Sequence, residues 1–233
     1  MKKNETRGPG SIGVIMDGSR RFAKKNKLPT KGGHRAGFET LKKMVGWCKE
    51  FGVKTIYAYA FSTENWNRAP QEVFDLMELL RFALSDEGIR SFKARVVVIG
   101  NRTRFAKDIQ EKIEILEKKT AVNKDITVVL ALSYGGREEI LQAVRSVLGK
   151  KIDPKRLTEK VFADNLYTKN LPDPDLIIRT GVEGKETRLS NFLPWQSVYS
   201  ELFGTKTFWP EFTKREFVSM LKEYNRCTRK KGK

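Results

Sequence analysis

Ile12-Gly13-Val14-Ile15-Met16-Asp17-Gly18-Ser19-Arg20-Arg21-Phe22-Ala23 holds the pattern that decides the fold class. The run Ile12 to Met16 is apolar without polar alternation, and Asp17-Gly18 cuts it off just before a helix start. A strand with no polar face is one covered on both sides, as in a parallel sheet wrapped by helices. Working outward, Thr55 to Phe61, Arg95 to Ile99, Ile126 to Leu132 and Asp175 to Arg179 repeat the pattern, and Thr205 to Trp209 reads as a further strand. Between them lie helical patterns. Phe38, Leu41, Val45 and Cys48 recur at helical spacing up to Gly52. Pro70, a favourable first-turn residue, opens a helix running to about Ser91. Phe105 to Lys119, Glu138 to Leu148 and Thr213 to Tyr224 are helical too. Strand–helix alternation predicts a single α/β domain: a central, mostly parallel sheet of about six strands, flanked by helices through right-handed crossovers. Ligands of such sheets bind beyond the carboxyl ends of the strands.

The chain of 233 residues fits one domain, with residues 1–10 expected as a flexible N-terminal segment and 11–233 as the functional domain. Two cysteines, Cys48 and Cys227, are too few for a disulfide framework and are expected to stay reduced. No apolar run approaches the ~20 residues of a membrane span. Met1 to Gly10 lacks the apolar stretch of a signal peptide, so a soluble, cytoplasmic protein is expected. The net charge of +18 attracts polyanions: nucleic acid, anionic membrane or phosphorylated substrates. An RNP, helix-turn-helix or zinc signature is lacking, which argues against nucleic acid. The basic ends, Lys2-Lys3 and Arg226 to Lys233, read either as solubilising tails or as a peripheral contact with anionic headgroups.

The chemistry-bearing residues follow the strands. Asp17-Gly18-Ser19-Arg20-Arg21 reads as a diphosphate cradle, because arginine forks match phosphate oxygens and Asp17 can hold a divalent cation. A plain turn with exposed arginines is the alternative. His34, the single histidine, precedes a helix and reads as a cap or as a phosphate donor. Phe61-Ser62-Thr63-Glu64-Asn65-Trp66-Asn67-Arg68 reads as an active-site rim or as a capped loop with a packing tryptophan. Arg179, with Arg188 and Ser190 nearby, reads as a second anion site or as surface ion pairs.

Together with Gly33-His34-Arg35-Ala36-Gly37, Ser133-Tyr134-Gly135-Gly136-Arg137 and Arg188-Leu189-Ser190-Asn191-Phe192, these segments resemble the signature of the cis-prenyltransferase family, typified by undecaprenyl diphosphate synthase. The resemblance runs from about residue 11 to 232, in family order. It implies the undecaprenyl diphosphate synthase-like fold and a magnesium-dependent transferase. Such an enzyme condenses an allylic prenyl diphosphate with isopentenyl diphosphate into a longer cis-polyprenyl diphosphate, a glycosyl-carrier lipid precursor. Asp17 would engage Mg2+ and diphosphate, with help from Glu201. Gly18, Arg20, Arg21, His34 and Arg68 would surround the allylic diphosphate, with Ser19, Phe22 and Ser62 in the same substrate-binding segments. Asn65, as a catalytic residue, and Trp66 would flank the reacting carbons. Arg179, Arg188 and Ser190 would hold isopentenyl diphosphate.

The family is usually homodimeric, and its terminal segment, Lys230-Lys231-Gly232 here, can reach the partner's site. An apolar tunnel is implied between the sheet and helices at about 71–91 and 103–119. Its expected walls are Phe74, Leu76, Met77, Leu80 and Phe82, which core packing would explain equally. Ser19 and Ser133 stand where the family usually has Asn, and Val182 to Thr187 is longer than in bacterial members. Two alternatives belong to the same resemblance: condensation other than head-to-tail, and a non-catalytic partner subunit. Retention of Asp17, Arg21 and Arg179 favours catalysis.

Overall fold

A computed structural model describes residues 8–85, 93–184 and 187–227. Six strands form one sheet: β1 (Ser11–Ile15), β2 (Thr55–Ser62), β3 (Ala94–Ile99), β4 (Ile126–Tyr134), β5 (Leu176–Arg179) and β6 (Glu201–Gly204). Their spatial order is β3-β4-β2-β1-β5-β6, and every pair is parallel, so the sheet is parallel throughout. Seven α-helices are described: α1 (Ser19–Lys25), α2 (Thr30–Glu50), α3 (Pro70–Ser85), α4 (Lys107–Thr120), α5 (Gly136–Gly149), α6 (Glu159–Ala163) and α7 (Lys214–Arg226).

Burial explains why apolar runs became strands. Every residue of β1 is buried, as are eight of the nine in β4. One face of the sheet carries the larger core, in which Ile12, Val14, Ile56 and Val128 meet Met44, Ile109 and Leu221 from the helices. The other face packs Ile15, Tyr57, Val129 and Ile177 against Phe192 and Leu193. The edge strand β3 is covered by side chains: Thr120 and Glu117 of α4 accept from the backbone N–H of Val96 and Val98, which removes the exposed edge that invites pairing with other chains.

One element is corrected. The sixth strand is Glu201–Gly204, not Thr205 to Trp209. The chain turns after Gly204, and Gly181 and Val182 donate to Thr207 and Thr205, which ties the segment to the loop after β5. Trp209 opens a 3-10 turn and is buried, its Nε1 donating to the Gly37 carbonyl. α3 is described to Ser85, and the expected extension to Ser91 lies outside the described residues. Of the expected flexible segment 1–10, residues 1–7 also lie outside them, whereas Gly8 donates to Phe51 and Gly10 accepts from Lys54. Among the described residues no helix is long and apolar enough to cross a membrane.

β1 has β2 on one side and β5 on the other, and the chain reverses direction across the sheet there. This is the topological switch point, where the loops after two neighbouring strands diverge and leave a crevice. Asp17 follows β1 and Arg179 ends β5 at that crevice.

Candidate active site

Asp17 sits between two arginines. Its Oδ1 accepts from Arg21 Nη2 at 3.1 Å and its Oδ2 from Arg179 Nη2 at 3.0 Å. Arg21 lies four residues on from Asp17, in the first turn of α1, which turns its guanidinium back to the carboxylate, and the β1–β5 pairing explains the second contact. Backbone geometry fixes the carboxylate. Its own carbonyl accepts from Thr180 Oγ1 at 2.9 Å and from the Trp209 N–H at 3.0 Å. Gly18 has φ +105, and a Cβ there would lie 2.8 Å from the Phe208 ring. Only glycine fits that turn. Arg21 also donates to the Gly181 carbonyl at 2.7 Å and to Glu183, and Phe208 lies under its guanidinium. Arg179 Nη1 donates to Ser190 Oγ at 2.6 Å and to the Arg188 carbonyl at 2.8 Å. The exposed Arg188 guanidinium makes no ion pair with a described residue.

A second cationic group lies on the neighbouring wall. Arg68 Nη1 donates to Glu72 Oε1 at 2.7 Å, His34 Nε2 stands 3.8 Å from the same oxygen, and Arg20 Nη1 is 3.7 Å from Oε2. Burial, aided by the Arg68 charge, lowers the His34 pKa and keeps the imidazole neutral. Ser19 is buried where α1 crosses α2, and a Cβ at Gly33 would meet the Ser19 carbonyl at 2.2 Å, so glycine permits the crossing. Phe22 is half-buried on α1 and does not line the cavity.

On the rim after β2, Ser62 and Asn65 form a reciprocal cap: the Ser62 N–H donates to Asn65 Oδ1 at 3.1 Å, and the Ser62 side chain accepts from the Asn65 backbone. Both line the cavity. Trp66 does not. Its ring packs against Phe61 and Phe105 at 4.8 and 5.4 Å, and its Nε1 donates to Ser133 Oγ at 2.9 Å. Ser133 is thereby the acceptor that fixes the tryptophan. Glu64 accepts from Asn191 Nδ2 at 2.9 Å. Partial burial opposes ionisation of Glu64, but that bond, with others from its own backbone, Ser62 and Thr63, holds its pKa below the usual value.

These groups surround the mouth of a cavity of about 1320 Å³. Below the charged rim it becomes apolar, lined by Phe38 and Leu41 of α2, Leu76, Leu79, Leu80 and Ala83 of α3, and Leu132 of β4. The expected walls are therefore partly corrected. Leu76 and Leu80 line the cavity. Met77 is buried in the core beside it, and Phe74 and Phe82 are 58% and 42% exposed. The facing wall is α2, not the helix at 103–119, because α3 leans on α2 with its Leu76–Leu80 face and Phe82 reaches Phe38 edge-on at 6.1 Å.

A family model for undecaprenyl diphosphate synthases matches residues 15–232. The chain belongs to that family. It is 43% identical to an isoprenyl transferase of Thermotoga maritima over 96% of this chain and 97% of the relative. It is 41% identical to the tritrans,polycis-undecaprenyl-diphosphate synthase (geranylgeranyl-diphosphate specific) of Thermoplasma volcanium, over 97% of this chain and 89% of that one. In three dimensions it is similar to lavandulyl diphosphate synthase of Lavandula x intermedia in complex with dimethylallyl diphosphate: TM-score 0.90, 30% identity, 97% and 99% coverage. Family membership makes the chain a transferase of prenyl groups.

Undecaprenyl diphosphate synthase-like residues fall into three groups in this fold. Asp17, Gly18, Ser19, Arg20, Arg21, His34, Ser62, Asn65, Arg68, Arg179, Arg188 and Ser190 line this cavity. Phe22 and Trp66 stand behind it. Glu201 is not brought to Asp17 within one chain. It opens β6 opposite Leu176, whereas Asp17 lies at the far end, where Gly204 pairs with Arg179. Three residues of strand, about 10 Å, intervene. The Lys230-Lys231-Gly232 segment lies outside the described residues. Sequence reading missed Glu72 and Glu183. The i, i+4 spacing of Arg68 and Glu72 was a usable signal for the first; Glu183 meets Arg21 across 162 positions, which no local pattern reveals.

Proposed function

We propose that the chain is a magnesium-dependent cis-prenyltransferase that condenses an allylic prenyl diphosphate with isopentenyl diphosphate into a longer cis-polyprenyl diphosphate. One observation carries this reading: an arginine-rich anion site opens directly into an apolar cavity of about 1320 Å³. The diphosphate head needs the first and the hydrocarbon tail the second.

The residues divide the work. Arg21, Arg20, Arg68 and His34 face the allylic diphosphate. Arg179, Ser190 and Arg188 face the diphosphate of isopentenyl diphosphate. Asp17 lies between the two sets. In the condensation the allylic C–O bond breaks and its electron pair leaves with diphosphate, whose charge the arginines balance. The isopentenyl double bond forms the new carbon–carbon bond, and a proton then leaves the adjacent carbon to a diphosphate oxygen or water. Holding the double bond in line with the breaking bond is the main gain from two fixed sites. Asn65, held by its cap with Ser62, borders the reacting region.

The donor chemistry fits magnesium. A magnesium ion of this kind is bound by one or two carboxylates together with substrate phosphates, and the Asp17 carboxylate stands between the two arginine sets that would face those phosphates. Asp17 is the residue to hold it, since its arginine partners can re-pair with phosphate. When bound, the ion supplies charge neutralisation for the departing diphosphate.

The homodimer belongs to the same reading. Of the segment from Phe192 to Trp209, Phe192, Leu193 and Trp209 are core, but Val198 and Tyr199 are 71% and 73% exposed, and α5 also exposes Leu141 and Leu148. Exposed apolar side chains of this kind support a covered interface. The reading extends to a peripheral membrane contact, through which a lipid-soluble product would leave. Incubation with labelled isopentenyl diphosphate and several allylic primers tests the proposal: longer diphosphates are expected only with both substrates and magnesium. Product from an allylic diphosphate alone would instead indicate condensation that is not head-to-tail.

A further inference from the structure

We propose that Glu72 is a positioning residue that gathers Arg20, His34 and Arg68 into one receptor for the allylic diphosphate; the inference rests on the cis-prenyltransferase reading. The three groups come from three places in the chain: Arg20 from α1, His34 from α2 and Arg68 from the loop before α3. All three line the cavity, and Glu72 does not. It stands behind them in the first turn of α3, with its side chain 16% exposed. Without a carboxylate there, two guanidiniums and a histidine would face one another with no opposite charge, and the longer side chains would swing to solvent.

The distances support positioning rather than blockade. Glu72 Oε1 takes one hydrogen bond, from Arg68 Nη1 at 2.7 Å. Arg20 at 3.7 Å is close enough for charge attraction, the neutral His34 at 3.8 Å meets the carboxylate only through its ring dipole, and both are too far to be hydrogen-bonded. Their donor capacity is left for a ligand. His34 makes the point sharply: its Nε2 is buried and has no hydrogen-bond partner. A buried polar atom without a partner costs stability, and a phosphate oxygen at the cavity wall would satisfy it. Arg68 likewise keeps its other nitrogens unbonded to described residues. A carboxylate behind the cations also sets selectivity. It offsets part of their charge, so a weakly charged anion gains little, while a diphosphate still meets three donors at once.

The test is steady-state kinetics on the full-length enzyme with Glu72→Gln, Glu72→Asp and Arg68→Ala, varying each substrate against saturation of the other. Loss of the charge-assisted bond predicts a KM for the allylic primer raised about tenfold or more in Glu72→Gln, with the KM for isopentenyl diphosphate within about twofold of wild type. Glu72→Asp is expected to recover part of the loss. Combining Glu72→Gln with Arg68→Ala is expected to cost less than the sum of the two single effects, because they share the Arg68 contact, while the hold on Arg20 and His34 is still lost. Equal changes in both KM values, or full additivity in the double variant, would overturn the positioning role. If Glu72→Gln is poorly folded, the Glu72→Asp variant carries the same comparison of KM values. Wild-type protein inactive with every primer would refute the enzyme reading itself. Wild-type turnover with an unchanged allylic KM in Glu72→Gln would refute only the role of Glu72.

Discussion

Ala83→Leu should shorten the product by at least one isoprene unit, and Leu80→Ala should lengthen it. From Glu72 at the mouth to Ala83, eleven residues of α3 descend about 16 Å along the cavity, at about 1.5 Å per residue. Ala83 therefore borders the deep end. Leucine there adds three carbons to the wall, and close-packed interiors do not yield to that volume. An isoprene unit has five carbons, so burying one contributes about 4 kcal/mol at about 0.8 kcal/mol per carbon. Denying that volume disfavours the last extension by about 10³-fold, since about 1.4 kcal/mol is a factor of ten. Met77 provides the control. It lies three residues from Leu80 on the same helix but in the core, so Met77→Ala should cost about 2–5 kcal/mol of stability and leave chain length alone. Mass spectrometry of products formed at saturating isopentenyl diphosphate gives the distribution. Unchanged lengths in well-folded Ala83→Leu and Leu80→Ala, or a Met77→Ala shift as large as that of Leu80→Ala, would refute the assignment of this wall.

Asp17→Asn should retain the fold, because the amide keeps the shape of the carboxylate, yet lose most turnover and its response to added magnesium; near-normal turnover would remove Asp17 from the chemistry. Arg188→Ala should raise the KM for isopentenyl diphosphate about ten- to hundredfold, the loss of a charge-assisted bond, and Arg21→Ala should damage the allylic side; matched effects on both substrates would contradict two separate sites. Glu139 is fully buried, and burial raises its pKa although Tyr134 and Gln196 donate to it. The folded protein then holds this proton more tightly than the unfolded chain, so stability falls as pH rises above the ordinary glutamate value of about 4.3. The melting temperature of Glu139→Gln relative to wild type should therefore climb with pH, and a constant offset across that range would show that Glu139 carries no such penalty.

The sheet was legible because its strands are buried on both faces, and continuous apolar runs such as Ile12 to Met16 have few other uses. β6 was not, since it begins with Glu201 and ends with Gly204 and is only half-buried at the sheet edge. The apolar run after it, Phe208 to Trp209, belongs to the turn that fixes Asp17 and Gly18. Site residues were readable where they stand at the carboxyl end of a strand, as Asp17 just after β1 and Arg179 at the end of β5 do. Which side of α3 lines the cavity was not, because Leu76, Met77 and Leu80 are equally apolar. Only the packing of α3 in the fold separates wall, Leu76 and Leu80, from core, Met77. Glu201 shows the opposite limit: its segment matches the family pattern, yet strand register places it about 10 Å from the crevice within one chain.

Whether the chain elongates prenyl diphosphates is decided by product analysis of the purified protein with magnesium, labelled isopentenyl diphosphate and an allylic diphosphate primer. A cis-prenyltransferase gives diphosphates longer than the primer by whole five-carbon units, with new double bonds in the cis geometry, and none when either substrate or the metal is left out. Absence of any elongated product from folded protein across a series of primers would contradict that reading.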